Sequence, residues 1–238
     1  MYTFGNHLLD ALSGGDRSAL VDDVEIVTLP SRRWLAPFAG PRHHVDFPID
    51  AVISIVATLR SGDAIEVGTV GREGFLETDA ALESDTARRS SFCQVSGDVA
   101  RMTLECFRGR MSDSSSFARL MRRSVTATLF SAQQLAACNA KHRVEAQCAR
   151  WLLATRDRVG RDTFPLTHDS LAVLLGVRRA SVSVAIQSLE ASGAIVHQRG
   201  HVTITAEVSL RAAACECYDD CKEISQQVLL DPSLAATA

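Results

Sequence analysis

Arg178 and Arg179 stand side by side at the head of the segment RRASVSVAIQ, and two guanidinium groups at the start of a helix can reach DNA phosphates or the O6/N7 edge of a guanine. That chemistry needs a scaffold that offers the helix to a groove. Residues 168–187, HDSLAVLLGVRRASVSVAIQ, have the spacing for one. Ala172 falls where two helices would cross most closely, and Gly176 falls in the turn, where positive φ is free of a Cβ penalty. Leu171, Leu175, Val177, Val182 and Ala185 fill positions that must face a shared core. The spacing predicts a helix-turn-helix whose second helix is presented to double-stranded DNA. A Leu-rich helical pair with Gly in its turn also builds bundles that bind nothing, so the flanks decide. Thr167 precedes the first helix as an N-cap. Residues 194–205, AIVHQRGHVTIT, read as two short strands about an Arg199-Gly200 turn, a wing with a cation at its tip.

The rest of the chain must position this unit. Its 238 residues have a formal net charge of -3, so no global basic field points to nucleic acid. The charge is uneven: residues 140–212 carry ten Lys or Arg against six Asp or Glu, and the basic part is the part with the motif. From about Val21 to Met102, short segments rich in Val, Ile and Thr alternate with turn signals such as SGD and GREG, predicting an antiparallel barrel or jelly roll of about eight strands. From about Ser112 the pattern becomes helical, with no Gly or Pro for over twenty residues. Phe117, Leu120, Met121, Leu129, Ala132 and Ala136 form an apolar stripe that must be buried either on the same chain or on the same helix of a second copy. A two-fold reader needs two such units, so a homodimer is expected.

Seven scattered cysteines, an odd number, with neither a secretory signal nor a run of about eighteen apolar residues, predict free thiols, no membrane span and a cytoplasmic protein. The one cluster is CECYDDC, residues 215–221. On a helix, Cys217 and Cys221 share a face while Cys215 points nearly the opposite way, poor geometry for three thiolates on one metal; no metal and no cofactor is expected. His43 and His44 read as a loop or strand-edge pair.

The order of parts and the wording of several segments resemble the Crp/Fnr superfamily of bacterial transcription regulators. RVEAQCARWLLATRDRVG and LTHDSLAVLLGVRRASVSVAIQSLEASGAIVHQRGHVTIT resemble that family's DNA-binding half. VDFPIDAVISIV and EVGTVGREGFLE resemble sensor segments, and LRAAACECY resembles the end of one subgroup. The resemblance implies an α+β chain: a cyclic-nucleotide-binding-like β-roll over residues 1–111, a long dimerisation helix over 112–140, a winged helix-turn-helix over 141–212, and a C-terminal helix and tail over 213–238. It implies base contacts from Arg179, Ala180, Ser183 and Val184, of which Ala180 and Val184 stand where family members often hold polar readers. Thr167, His168, Arg178, Ser181, Gln187 and Arg199 are then phosphate contacts, and RNA polymerase is an implied partner.

In the sensor half, Glu77, Arg88, Arg89 and Ser90 are the candidate effector pocket. No Gly-Glu pair precedes the arginines at the family's spacing, so a cyclic nucleotide is not the expected ligand and a small-molecule effector stays unidentified. The chain holds no phosphate-binding Gly loop, no Gly-x-Ser-x-Gly turn and no His-Glu-x-x-His pair, and no enzyme is expected. Two alternatives stay open: a DNA-binding dimer with a ligandless barrel, and a barrel-based enzyme with an accessory DNA-binding module.

Overall fold

The computed structural model describes residues 2–36, 40–60, 64–84 and 89–230. Two short helices, α1 (His7–Ala11) and α2 (Gly14–Ala19), lead into β1 (Val24–Leu29), β2 (Trp34–Ala36), β3 (His44–Pro48), β4 (Val52–Thr58) and β5 (Ala64–Val70). A 3₁₀ turn at Thr78–Leu82 precedes β6 (Ser90–Val95) and β7 (Gly97–Thr103). All pairings are antiparallel. One sheet runs β1-β7-β3 and the other β2-β6-β4-β5, which together form a β-roll. The described residues thus contain seven strands in this half, against about eight expected. Bulges at Val52/Ile53 and Ile55/Val56 bend β4, which pairs with β5 on one side and β6 on the other.

The next element differs from the sequence reading. Thr103 caps α3 (Leu104–Asp113), which begins before the helical pattern expected from about Ser112, and Ser114 then caps α4 (Ser115–Lys141). Phe107 of α3 lies between Phe75 and Phe117, with ring centroids 5.7 and 5.6 Å away. Phe117, Leu120 and Met121 are fully buried in this same cluster with Leu8, Leu9 and Phe47. The apolar stripe of α4 is therefore split. Its first half is consumed within the chain, which corrects the assignment of Phe117, Leu120 and Met121 to a seam between copies. Further along, Leu129, Ala132 and Ala136 are exposed, Leu129 at 58%.

His142 ends α4, and α5 (Val144–Val159) begins the second module: β8 (Thr163–Pro165), α6 (His168–Leu175), α7 (Arg179–Ala191), β9 (Ile195–Gln198), β10 (His201–Ile204), α8 (Glu207–Ala213) and α9 (Cys217–Leu229). Its core joins Leu152, Phe164, Leu171, Leu175, Val182, Ile186, Leu189, Val202 and Leu210. Val52 and Val95 of the roll belong to the same cluster, so the two halves share apolar packing. Beyond α8 the described residues hold one C-terminal helix, α9, which packs along α4. Among the described residues no helix is long and apolar enough to cross a membrane.

Candidate nucleic-acid interface

The helix-turn-helix is built by local signals that act at single residues. Thr167 accepts from the backbone N–H of Ser170 while the Ser170 hydroxyl accepts from that of Thr167, a reciprocal cap that fixes where α6 starts. Gly176 ends α6 at φ 65°, the left-handed conformation its spacing predicted. Three residues later α7 begins, and Val182, Ala185, Ile186 and Leu189 turn inward against α5 and α6. The opposite face is left to solvent. Ala180, Val184 and Gln187 are exposed along it, Val184 at 66%, and Ser183 is half-buried beside them. These four positions sit at i, i+3, i+4 and i+7, one stripe of a helix.

Arg178 and Arg179 are both exposed at the N-terminus of α7. Arg179 Nε lies 3.2 Å from Asp169 Oδ1, a pair whose side chains are 67% and 72% exposed. Such a pair stabilises by at most about 1 kcal/mol, so a DNA anion can displace it. Ser181 is half-buried on the flank of α7. Ser183 Oγ meets His168 Nδ1 at 2.9 Å, and the His168 ring packs on that of His197 with centroids 4.8 Å apart. Burial and the neighbouring His197 hold His168 below its ordinary pKa, which favours the uncharged ring, and its Nε2 is buried.

The wing forms as its sequence suggests. β9 and β10 pair from Ile195↔Ile204 to Gln198↔His201, and the two turn residues, Arg199 and Gly200, have φ of 49° and 75°. Both central residues are left-handed, which suits the twist of a two-residue hairpin. Arg199 is exposed at its tip, and the Leu166 N–H donates to Gly200 O at 2.8 Å, tying the wing to the entry of α6. β8 adds a third strand to the wing sheet. Thr167, His168, Arg178, Arg179 and Arg199 all lie on the segments around this one edge of the module.

Residues 146–213 match the Crp-like helix-turn-helix domain. The Crp-like domain thus spans α5 to α8, the elements just described. Three solved structures share the fold of most of the chain. FixK2 from Bradyrhizobium japonicum is 13% identical, covering 81% of this chain and 98% of its own, with a TM-score of 0.67. TTHB099, a transcriptional regulator of the CRP family from Thermus thermophilus, is 17% identical over 79% of this chain and 96% of its own, with a TM-score of 0.65. The c-di-GMP-responsive global regulator CLP of Xanthomonas campestris is 17% identical over 81% of this chain and 99% of its own, with a TM-score of 0.62. At these identities the likeness is one of fold. No curated protein sequence matches the chain.

The roll presents a different picture at the candidate effector residues. Arg88 lies outside the described residues. Glu77, buried at φ 67°, is paired with Arg42, Nε to Oε2 at 2.9 Å, a partner the sequence did not single out. Burial pushes the Glu77 carboxyl up, opposed by Arg42 and Arg89. Arg89 holds Asp79 at 2.7 Å and donates to Thr78 Oγ1 at 3.2 Å. Among the described residues, Arg42 and Arg89 are thus already paired with carboxylates of the chain. Ser90 is buried at the start of β6. A cavity of about 510 Å³ opens between β5, α4, α5 and α9, and its walls include Glu77, Arg89, Ile55, Leu135, Ala154 and Tyr218. That volume falls in the range of small-molecule sites.

His43 and His44 are both exposed at the start of β3. Cys215 is not on the helix with Cys217: α9 starts at Cys217, and Cys215 lies in the link after α8, so the helical-face geometry that separated the thiols does not apply.

Proposed function

We propose that the chain is a sequence-specific DNA-binding transcription regulator of the Crp/Fnr type that reads a two-fold-related operator as a homodimer. The observation that carries this reading is the outward stripe Ala180, Ser183, Val184 and Gln187 on α7, headed by Arg178 and Arg179 and left uncovered by the rest of the chain. Arg179 reads a guanine by two hydrogen bonds, and Ala180 and Val184 touch thymine methyl groups, with Ser183 also at base edges. Thr167, His168, Arg178, Ser181, Gln187 and Arg199 contact phosphates and fix the register. The operator therefore carries fewer hydrogen-bonded base positions than a reader with polar side chains at 180 and 184.

The organisation follows from this reading: a sensor over residues 1–111, the long helix over 112–140, the reader over 141–212 and the C-terminal segment over 213–238. The exposed Leu129, Ala132 and Ala136 supply the seam between two copies. An effector that enters the cavity beside α4 changes the angle of the two long helices and so the distance between recognition helices, a shift between two dimer geometries. RNA polymerase is the partner through which such a shift changes transcription. The paired Arg42–Glu77 and Arg89–Asp79 favour an uncharged effector over a cyclic nucleotide. A ligandless roll is the second reading, supported by those same internal pairs.

Selection from random DNA with the full chain tests the proposal. The expected product is an inverted repeat with half-sites about one helical turn apart, roughly 10 base pairs. Recovery of no enriched sequence, or of an unpaired single half-site, would sink it.

A further inference from the structure

Where α4 ends and α9 begins, four side chains that can ligate a metal converge on one point. Cys138 lies in the last turns of α4 and His142 at its end, a Cys-x-x-x-His spacing that sets both on one face of the helix. Cys215 comes from the link between α8 and α9, and Cys217 opens α9. Cys138, Cys215 and Cys217 are buried. Cys138 Sγ is 3.5 Å from Cys215 Sγ, and Cys217 Sγ is 3.6 Å from His142 Nδ1. All four ligand atoms lie within 4.8 Å of one another. With zinc–sulfur bonds of about 2.3 Å and zinc–nitrogen bonds of about 2.0 Å, a tetrahedral site has ligand atoms roughly 3.5 to 3.8 Å apart. Small side-chain rotations close the difference.

The surroundings are those of a ligand set rather than of packing cysteines. His142 Nε2 meets Glu216 Oε1 at 3.2 Å, and a proton on Nε2 donated to that carboxylate leaves Nδ1 with a lone pair turned toward the thiols. Gln134 Nε2 donates to Cys217 Sγ at 3.3 Å and to Asp220 Oδ2 at 3.0 Å, fixing the direction of that sulfur. Arg150 brings positive charge to Cys138, and two of its guanidinium nitrogens are buried with no partner among the described residues. Three small hydrophobic thiols could pack together in any core. An imidazole nitrogen aimed at them and a carboxylate behind it have no use there.

We propose that Cys138, His142, Cys215 and Cys217 form a closed, four-coordinate Zn²⁺ site that pins the C-terminal helices to the elbow between α4 and α5. Three thiolates and one imidazole in tetrahedral array select zinc among common cations, and four protein ligands leave no open position for catalysis. The cation joins residues more than seventy positions apart in sequence, Cys138 to Cys215. It does so where the long helix hands over to the Crp-like domain, so it fixes the angle between them. Binding releases the thiol protons, and the bound form is stabilised by mass action.

The test uses the full chain, purified under reductant, stripped with a chelator and titrated with Co²⁺. About one equivalent per chain should give thiolate-to-cobalt charge transfer and the intense d–d bands of a tetrahedral sulfur-rich site, and Zn²⁺ should bleach both while raising the melting temperature. Cys215→Ser and His142→Ala should weaken Co²⁺ binding at least tenfold, whereas Cys106→Ser should bind as the wild type does. Absence of the cobalt spectrum in the wild-type chain would overturn the proposal, whatever the variants do. So would a spectrum indifferent to both ligand substitutions, an iron–sulfur chromophore on these cysteines, or a Cys138–Cys215 disulfide that persists in reductant with Zn²⁺ present. The readout does not depend on DNA binding, and so stands or falls apart from the proposed function.

Discussion

The indole N–H of Trp151, in α5, points at Oε1 of Glu66, in β5, at 3.4 Å, placing a buried carboxylate of the roll against the first helix of the Crp-like domain. Ser54 Oγ donates to Glu66 Oε2 at 2.6 Å and Thr69 Oγ1 to Oε1 at 3.1 Å. Arg158 of α5 pairs with Glu73 at 2.7 Å beside Gly71, where the Arg158 stem fills the space a Cβ would need. The two halves therefore meet through polar contacts around a buried carboxylate as well as through the apolar packing of Val52 and Val95.

Burial pushes the Glu66 carboxyl above its ordinary range, with the Ser54 and Thr69 hydrogen bonds and Arg158 opposing it. The folded state then holds this proton more tightly than the unfolded chain. Its contribution is fully present below the unfolded value of about 4.3 and is lost as pH rises through the raised folded value. Glu66→Gln should remove that slope, with the difference growing by up to about 1.4 kcal/mol per pH unit inside the window. Thermal melts of both proteins across the acid-to-neutral range check this. Parallel curves would refute it.

Two arginines at the reading edge should fail differently. Arg179→Ala should cost about 1 to 3 kcal/mol on the selected operator and relax base choice at one position. Arg199→Asn keeps a residue that tolerates φ 49° and should weaken all sequences alike, lowering the salt slope by about 1. Titrations against matched and mismatched sites at several salt concentrations separate the two. A uniform loss from Arg179→Ala would remove it from base readout.

Gly176→Ala isolates backbone strain from crowding. A Cβ there would sit 3.6 Å from Ile65 Cγ2, an ordinary contact, so the cost is the left-handed φ, about 1 kcal/mol. Chemical denaturation should show the loss, and a larger one from Gly176→Val. An alanine variant as stable as the wild type would contradict this account of the turn.

The split stripe of α4 separates folding from assembly. Phe117→Ala should destabilise the chain by about 3 to 5 kcal/mol through a cavity among Phe75, Phe107 and Leu120. Leu129→Glu should leave the melt almost unchanged and convert a sedimenting dimer to a monomer. A Leu129→Glu dimer of unaltered strength would move the seam elsewhere.

The reader was legible because its signals are local. Thr167, Gly176 and the Arg199-Gly200 turn each act through their own backbone, and the structure finds each in its expected conformation. The strands of the roll were legible as segments but not as sheets, since pairing such as Val24↔Met102 spans most of the half. What one sequence could not show was partnership at a distance. Arg42 comes to Glu77, Asp169 to Arg179 and Cys138 to Cys215 only through folding. The helix α3 was missed because Gly109 and a polar face hide its period, and the α4 stripe looked continuous because periodicity does not say which partner covers each turn.

Asp169 has a further consequence for how the reader meets DNA. In the unbound chain its carboxylate occupies Arg179 much as a nucleic-acid oxygen would in the complex. If Arg179 reads a base as proposed, docking would exchange one anion for another rather than capture a bare cation, and the displaced carboxylate would be left near the DNA. On that reading a wrong sequence, which returns no paired hydrogen bonds to Arg179, would leave that repulsion uncompensated. The small acidic neighbour would thereby act as an internal competitor that raises the threshold for stable residence, so that discrimination would come from rejecting poor sites as much as from holding the good one.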